Sequence, residues 1–115
     1  MSAMATSIVT SLLAPELAAR ATALGQRIRL ARQRRRLRVE DVAQKAQLGK
    51  KTVEAVERGA LTTSLGAYLA VLGSMSLAEE FDLVADPALD REGAQLAYSK
   101  VEHRVRPSRK VDNDF

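Results

Sequence analysis

Cysteine is absent from the 115-residue chain, and aromatic residues make up only 3% of it. Without cysteine there can be no disulfide, thiolate nucleophile or cysteine-based zinc site, which fits a reducing compartment. His103 is the single histidine, so a histidine-rich metal site and a catalytic triad are excluded as well. The core must therefore be aliphatic, and the 46% hydrophobic content is enough to build one.

Long apolar runs and catalytic motifs are also lacking. The uncharged stretch 1–14 is too short and interrupted to span a membrane, and it lacks the basic start of a signal peptide. It is predicted to be an unstructured leader or, alternatively, to pack on a neighbouring molecule. No glycine-rich phosphate loop, HExxH sequence or nucleophile with a matching base occurs. We therefore expect neither an enzyme nor a bound cofactor.

Charge is abundant but unevenly distributed. Residues 20–58 contain twelve basic and four acidic residues, a net charge of +8, whereas residues 79–92 contain six acidic residues and one arginine, a net charge of −5. A basic segment beside an acidic one favours a polyanionic partner on one face of the protein. The alternative is an ordinary solvated surface.

The longest predicted helix begins at Pro15 and runs to about Arg36. Proline suits the first turn of a helix, and Glu16 complements the positive end of the dipole. Gly25 is a weak point within this helix. Its apolar stripe consists of Leu17, Ala21, Leu24, Ile28 and Ala31.

Two further helices are predicted after residue 63. Ser64 caps a helix that runs to about Gly73, and Ser76 caps the next one. A weak helical run follows from Asp90 to Val101, beyond Asp86-Pro87. The apolar stripes of the two capped helices are Leu65, Leu69 and Leu72, and Leu77, Phe81 and Val84.

The segment 37–59, LRVEDVAQKAQLGKKTVEAVERG, is predicted to form two short helices joined by a tight turn. Each has a narrow apolar stripe, and neither is long enough to be stable alone. Such a pair is typical of a helix-turn-helix motif, whose second helix enters the DNA major groove. The apolar positions are Val42, Ala43 and Ala46 in the first helix, Val53 and Val56 in the second, and Leu48 between them.

These positions resemble the motif of Xre/Cro-type (lambda repressor-like) regulators. The matching residues are Leu37, Glu40-Asp41, Val42-Ala43, Lys45-Ala46, Leu48, Thr52-Val53, Val56 and the closing Glu57-Arg58-Gly59. The resemblance implies an all-α fold, a five-helix lambda repressor-like DNA-binding domain over residues 15–85. It is flanked by the leader 1–14 and a C-terminal tail, 86–115, that is available to a partner.

Three positions depart from the family pattern. Arg38-Val39 replaces the usual Ser or Thr followed by Gln, which removes a side-chain cap and a phosphate contact. Gln47 replaces a turn glycine, so we expect a positive φ there at a cost of about 1 kcal/mol. Gly49 replaces the Ser or Thr that caps the second helix, and glycine is a weaker cap.

The resemblance implies where DNA is contacted. Lys50 and Lys51 are the main candidates for reading guanine, with Glu54 for cytosine and Ala55 for a thymine methyl group. The alternative for the remaining candidates is a solvated helix end or an ordinary loop and cap. The full set of predicted DNA-binding residues is Lys50, Lys51, Thr52, Glu54, Ala55, Arg58, Arg35, Arg36, Arg38, Thr62 and Thr63, with Arg34 and Ser64 as further phosphate contacts.

The partners are also predicted from the resemblance. A homodimer is expected to bind a double-stranded DNA operator, with no membrane involved. The two subunits are expected to contact each other through the acidic helix around 77–84, the leader or the tail. The arrangement of leader, motif, the segment TTSLGA at 62–67 and a basic tail is similar to that of HipB-like antitoxins, which repress their own operon and restrain a HipA-like toxin kinase. The alternative is a stand-alone phage or chromosomal regulator. Either would act in the cytoplasm, associated with the nucleoid. The basic tail after residue 102 is expected to be disordered or to order on a partner.

Overall fold

The computed structural model describes residues 13–103, and their side chains up to residue 100. Within this range the chain consists of helices and turns, with no strand, so the predicted all-α class is confirmed. The predicted leader up to residue 12 and the basic tail from residue 104 lie outside the described residues. The helices are α1 (Pro15–Arg34), α2 (Val39–Ala46), α3 (Lys50–Glu57), α4 (Leu65–Ser74), a 3-10 helix (Ala78–Leu83) and α5 (Arg91–His103).

The chain forms two compact units, Met1–Glu80 and Phe81–Phe115. The first contains α1 to α4, and α3 is its central element because it packs against α1, α2 and α4. The second contains α5, which begins one residue after the predicted start at Asp90. The Asp90 side chain accepts a hydrogen bond from the Gly93 N–H at 2.9 Å, which satisfies a donor of the first turn.

The core of the first unit is largely aliphatic, as the composition predicts, and Tyr68 is the aromatic residue among its described buried side chains. Leu17 and Leu65 were expected on core-facing stripes, but they are 49% and 60% exposed. The predicted stripe of α4 is wrong at Leu65 and right at Leu72, which is 7% exposed, and the helix also turns Ala67, Tyr68 and Val71 inward. The buried residues of the core are Ile28, Val42, Ala43, Val53, Val56, Ala67, Tyr68, Val71, Leu72 and Met75.

The four helices of the first unit end with the same hydrogen-bond pattern. An N–H beyond the end of the helix donates across the last turn, and the residue before it has a left-handed backbone, which together form a Schellman motif. This turn ends α1 at Arg34, two residues earlier than predicted. The left-handed residues are Arg36, Gln47, Gly59 and Ser76, and the closing bonds run from Leu37 to Arg32 (3.2 Å), Leu48 to Ala43 (2.9 Å), Ala60 to Ala55 (3.0 Å) and Leu77 to Leu72 (2.8 Å).

Only Gly59 among these left-handed residues is a glycine, with a φ of 71°. The positive φ expected at Gln47 is confirmed at 59°. Arg36 and Ser76 take the same conformation, each at a cost of about 1 kcal/mol relative to glycine. The prediction that Ser76 caps a helix is wrong, because a cap requires an extended backbone and a 3-10 helix follows instead. Ser64 does cap α4, since its hydroxyl accepts from the Ala67 N–H at 3.1 Å.

Glycine has a packing role where α1 crosses the end of α3. Gly25 is buried, and a Cβ placed on it would lie 2.5 Å from the Gly59 nitrogen and 2.6 Å from the Glu57 carbonyl oxygen. A Cβ on Gly59 would in turn overlap the Ala21 carbonyl group. Gly25 is therefore required for the close approach of two backbones, which outweighs its weakness as a helix former.

Candidate nucleic-acid interface

The segment 39–57 forms two helices joined by the turn 47–49. The left-handed Gln47 closes α2, and Gly49 starts α3 in an extended conformation (φ −71°, ψ 155°). Gly49 has no side chain with which to cap α3, so the amides of the first turn are left available, as the sequence predicts. The predicted helix-turn-helix arrangement is therefore present.

The inner face of this pair is fixed by complete burial. Val42 on α2 and Val53 and Val56 on α3 have no exposed surface, and Ala43 has 8%. Burying a valine stabilises the fold by about 1.5 kcal/mol or more. Because these valines set the rotation of α3 about its axis, they also determine which of its residues face solvent.

The outer face of α3 carries the predicted base-reading residues. Lys50 and Lys51 are exposed on its first turn, while Glu54 and Ala55 are half-buried farther along. Thr52 is half-buried, and Arg58 is exposed at the C-cap. The structure therefore places Lys50, Lys51 and Arg58 in solvent, and gives Thr52, Glu54 and Ala55 a smaller exposed surface.

The lysines of α3 oppose its dipole. The first turn contains no acidic residue and the helix begins with two cations, although the positive end of a helix favours anions by about 0.3–1 kcal/mol. One carboxylate from α2 lies nearby, since the Lys50 ammonium is 3.5 Å from Glu40 Oε2. A hydrogen bond from its own backbone and the charge of Lys50 both lower the pKa of Glu40. Helix stability does not account for the lysine pair.

The arginines before α2 differ in what they contact. Arg35 donates to the Ala31 carbonyl oxygen at 3.0 Å and remains exposed, as do Arg34 and Arg36. Arg38 pairs with Asp41 at 3.1 Å while its side chain is 75% exposed. These four arginines are brought to one corner of the fold, at the α1–α2 turn.

Asp41 also compensates for the missing N-cap of α2. An arginine side chain has no acceptor, but the Asp41 carboxylate accepts from the Arg38 backbone N–H at 2.8 Å. The Arg38 guanidinium and this backbone bond lower the pKa of Asp41. The departure from the family pattern at Arg38 is thus partly offset by a residue three positions later, which is one half of a capping box.

The loop before α4 carries the remaining predicted contacts. Thr62 is exposed and Thr63 is half-buried, and both precede the Ser64 cap. Tyr68 fixes this loop, because its hydroxyl donates to the Ala60 carbonyl oxygen at 2.8 Å. Burial raises the pKa of Tyr68 above its usual range, so the phenol stays protonated as a donor.

Sequence reasoning missed the ion pair that holds α1 to the end of α3. Arg32 donates to Glu57 through Nε at 2.6 Å and through a terminal nitrogen at 3.0 Å, and also to the Leu37 carbonyl oxygen at 2.9 Å. The two side chains are only 12% and 8% exposed. The Glu57 hydrogen bond raises the pKa of Arg32, against the opposing effect of burial. Arg32 thus has a structural role, unlike the neighbouring arginines.

A signal for this pair was present in the sequence. Glu57 follows the buried Val53 by four positions and therefore lies on the same face of α3. The pair also borders an open cleft beside α3, which Arg29 and Arg58 line together with Val39 and Glu54. Arg29 is an exposed cation near α3 that no sequence pattern singles out.

The comparisons with known proteins agree with this geometry. Residues 23–72 match a family model described as a helix-turn-helix domain. No curated protein and no solved structure matched the chain. The matched region covers the motif together with its supporting helices, and it supports a DNA-binding regulator. The match does not distinguish HipB-like antitoxins from other regulators.

Other kinds of site have no counterpart in the described range. No group of three or more histidine, aspartate or glutamate side chains between residues 13 and 100 is arranged to hold a metal ion. Among the described helices, none is long and apolar enough to cross a membrane.

Proposed function

We propose that this protein is a transcriptional repressor that binds a specific double-stranded DNA operator as a homodimer, with α3 in the major groove. The observation that supports it is the outer face of α3, where Lys50 and Lys51 stand on a first turn that would favour anions. The buried valines hold that face rigidly outward. A pair of cations kept on a rigid, exposed helix suits recognition of a polyanion.

Base reading is assigned to the first half of α3. Lys50 and Lys51 would donate to guanine O6 and N7, and Glu54 would accept from cytosine N4. The Ala55 methyl group would contact a thymine methyl group, and Thr52 would contact a base or a phosphate. Lysine is less selective in geometry than bidentate arginine, so DNA shape and half-site spacing would contribute to specificity.

Phosphate contacts are assigned around this helix. Arg35, Arg36 and Arg38 would contact the backbone on one side and Arg58 at the far end of α3. On the α4 side, the loop residues Thr62 and Thr63 would contribute contacts beside the helix N-terminus, which attracts phosphate. Such contacts raise affinity for all sequences and make it depend on salt.

A homodimer follows from the size of one module. A single α3 reads only a few base pairs, and two copies about 34 Å apart would meet successive major grooves of a two-fold operator. Light scattering at micromolar concentration measures the oligomeric state, and an operator titration measures the affinity. A monomer that binds the operator with unimpaired affinity would exclude the dimer.

A second function, antitoxin of a HipA-like kinase in the same operon, is favoured by the unit Phe81–Phe115. Its described part has exposed apolar side chains, which suit a protein partner. The exposed fractions are 56% for Leu83, 68% for Val84, 61% for Leu89 and 63% for Leu96. Co-expression with the neighbouring gene product followed by pull-down tests this. A stoichiometric complex supports the antitoxin, whereas its absence leaves a stand-alone regulator. In either case we place the protein in the cytoplasm, associated with the nucleoid.

Footprinting on the protein's own promoter tests the DNA proposal. Lys50→Ala with Lys51→Ala should weaken operator binding by about 1–3 kcal/mol for each base that is no longer read, and should flatten sequence preference. Arg20→Ala with Arg27→Ala is the matched control, because it removes two exposed charges of α1. That control should lower affinity slightly and leave the preference intact. Unchanged preference in the lysine variant would show that the docking is wrong.

A further inference from the structure

The ion pair between Glu40 and Lys50 links the starts of the two motif helices. Glu40 is the second residue of α2 and Lys50 is the first residue of α3, and their charged groups are 3.5 Å apart. Both side chains are 55% exposed, so the pair contributes little to stability. Its position, directly beside the helix that would read bases, calls for another explanation.

Glu40 offers the Lys50 ammonium group an opposite charge at 3.5 Å. A free lysine carries a point charge on a flexible stem and loses rotamer freedom when it binds. The Glu40 carboxylate, at the start of α2, attracts the Lys50 ammonium group toward α2, and the other N–H groups of that ammonium remain available. Lys51 has no ion pair within residues 13–100, so the two lysines are not equivalent.

Glu40 also places a negative charge beside the groove that DNA would occupy. Phosphates near it are repelled on every sequence, and this cost does not depend on the bases. Only a duplex that offers Lys50 a guanine edge in the favoured position recovers the loss. A repulsive group of this kind raises specificity by weakening binding to the wrong partners.

We propose that Glu40 is a positioning and specificity-determining residue, which orients Lys50 for base contact and lowers affinity for non-operator DNA. This inference rests on the proposed function. The two effects have the same origin, the Glu40 carboxylate 3.5 Å from the Lys50 ammonium group of α3. Removing the charge should therefore raise general affinity and reduce discrimination together.

The test uses the full-length protein with the footprinted operator fragment and a scrambled fragment of equal length. Glu40→Gln should bind scrambled DNA several-fold more tightly and lower the operator-to-scrambled affinity ratio about tenfold. A tenfold change lies near the lower end of the discrimination that one base contact provides. Glu79→Gln removes an exposed carboxylate from the 3-10 helix and is the matched control. It should raise both affinities slightly and equally.

Double variants identify the lysine involved. The change in ratio caused by Glu40→Gln should disappear in a Lys50→Ala background and persist in a Lys51→Ala background. The inference is overturned if Glu40→Gln behaves like Glu79→Gln, or if its effect is the same in both lysine backgrounds. If the unmodified protein itself does not discriminate between the fragments, the proposed function fails, and this inference fails with it.

Discussion

Replacing Gly25 by alanine adds one Cβ atom, which has two opposing effects on the free energy of unfolding. In an exposed helix interior, alanine is more favourable than glycine by about 1 kcal/mol. Here the added Cβ would lie 2.5 Å from the Gly59 nitrogen and 2.6 Å from the Glu57 carbonyl oxygen, so both obstacles are backbone atoms. No side-chain rotation can relieve such an overlap, and α1 must move away from α3. Forced overpacking of this kind costs about 1–3 kcal/mol.

The displacement also strains the Arg32–Glu57 pair, which joins the same two helices at 2.6 Å. We therefore expect Gly25→Ala to lower the free energy of unfolding by up to about 2 kcal/mol once the helix-propensity gain of about 1 kcal/mol is subtracted. For a domain of this size, that corresponds to a Tm lower by up to roughly 15 °C. Chemical denaturation followed by circular dichroism measures the change.

Gly73→Ala is the matched control, because a Cβ on that exposed helical glycine would lie 4.0 Å from the Ala78 Cβ, an ordinary contact. It should stabilise the protein by up to about 1 kcal/mol. A stabilised Gly25→Ala variant would refute the assignment of Gly25 to the helix crossing.

Two further predictions concern charged groups. Arg32→Met should destabilise the fold by about 1–3 kcal/mol in a denaturant titration, because it leaves the largely buried Glu57 carboxylate without its partner beside an open cleft. Adding Glu57→Leu should recover much of the loss, and a double variant as unstable as the single one would contradict the account. Because the pKa of Asp41 is lowered in the folded state, the folded protein binds fewer protons than the unfolded chain. The stability that Asp41 contributes is therefore complete above the unfolded pKa of about 3.9, and it is lost as the pH falls through the folded pKa. Acid unfolding should therefore be less steep in Asp41→Asn, whereas an unchanged acid transition would contradict a role for this carboxylate.

Sequence periodicity identified the elements that depend on local pattern. The motif helices follow from Val42, Val53 and Val56, whose spacing is visible without the fold, and the start of α4 follows from the Ser64 cap. The complete inward face of α4 required tertiary information, because LGAYLAVLGS is apolar around most of its circumference and the pattern does not select one face; the predicted stripe includes the buried Leu72 but also the exposed Leu65. The same applies to Gly25, since only the approach of Gly59 from elsewhere in the chain explains it.

The candidate site divides in a similar way. The outward position of Lys50 and Lys51 follows from the buried valines on the opposite face of α3. The pairing of Lys50 with Glu40 depends on how the turn 47–49 sets one helix against the other, which residue spacing does not give. Arg32 and Arg36 belong to one basic run. Arg32 is largely buried and pairs with Glu57, whereas Arg36 is exposed and is a candidate for a DNA contact.

Arg36 is the residue at which stability and DNA binding should separate most clearly. It is exposed and left-handed, with a φ of 56°, at the position where a Schellman motif favours glycine. Keeping an arginine there costs about 1 kcal/mol, the same cost that Gln47 and Ser76 carry, so its proposed role rests on its exposed charge and not on the strain. Arg36→Gly should therefore raise the free energy of unfolding by about 1 kcal/mol, weaken binding to every duplex and reduce the salt slope by about one.

Gln47→Gly is the matched control for this substitution. Gln47 has nearly the same backbone, with a φ of 59°, and is also exposed at the end of a helix, but it carries no charge. Its replacement should give a similar gain in stability while leaving the salt slope unchanged, since it removes no cation from the surface proposed to face DNA. Urea titration and binding measured at several salt concentrations provide the two readouts. If Arg36→Gly is stabilised but keeps the full salt slope, Arg36 does not contact phosphate, and the left-handed arginine is an uncompensated cost of the α1–α2 turn.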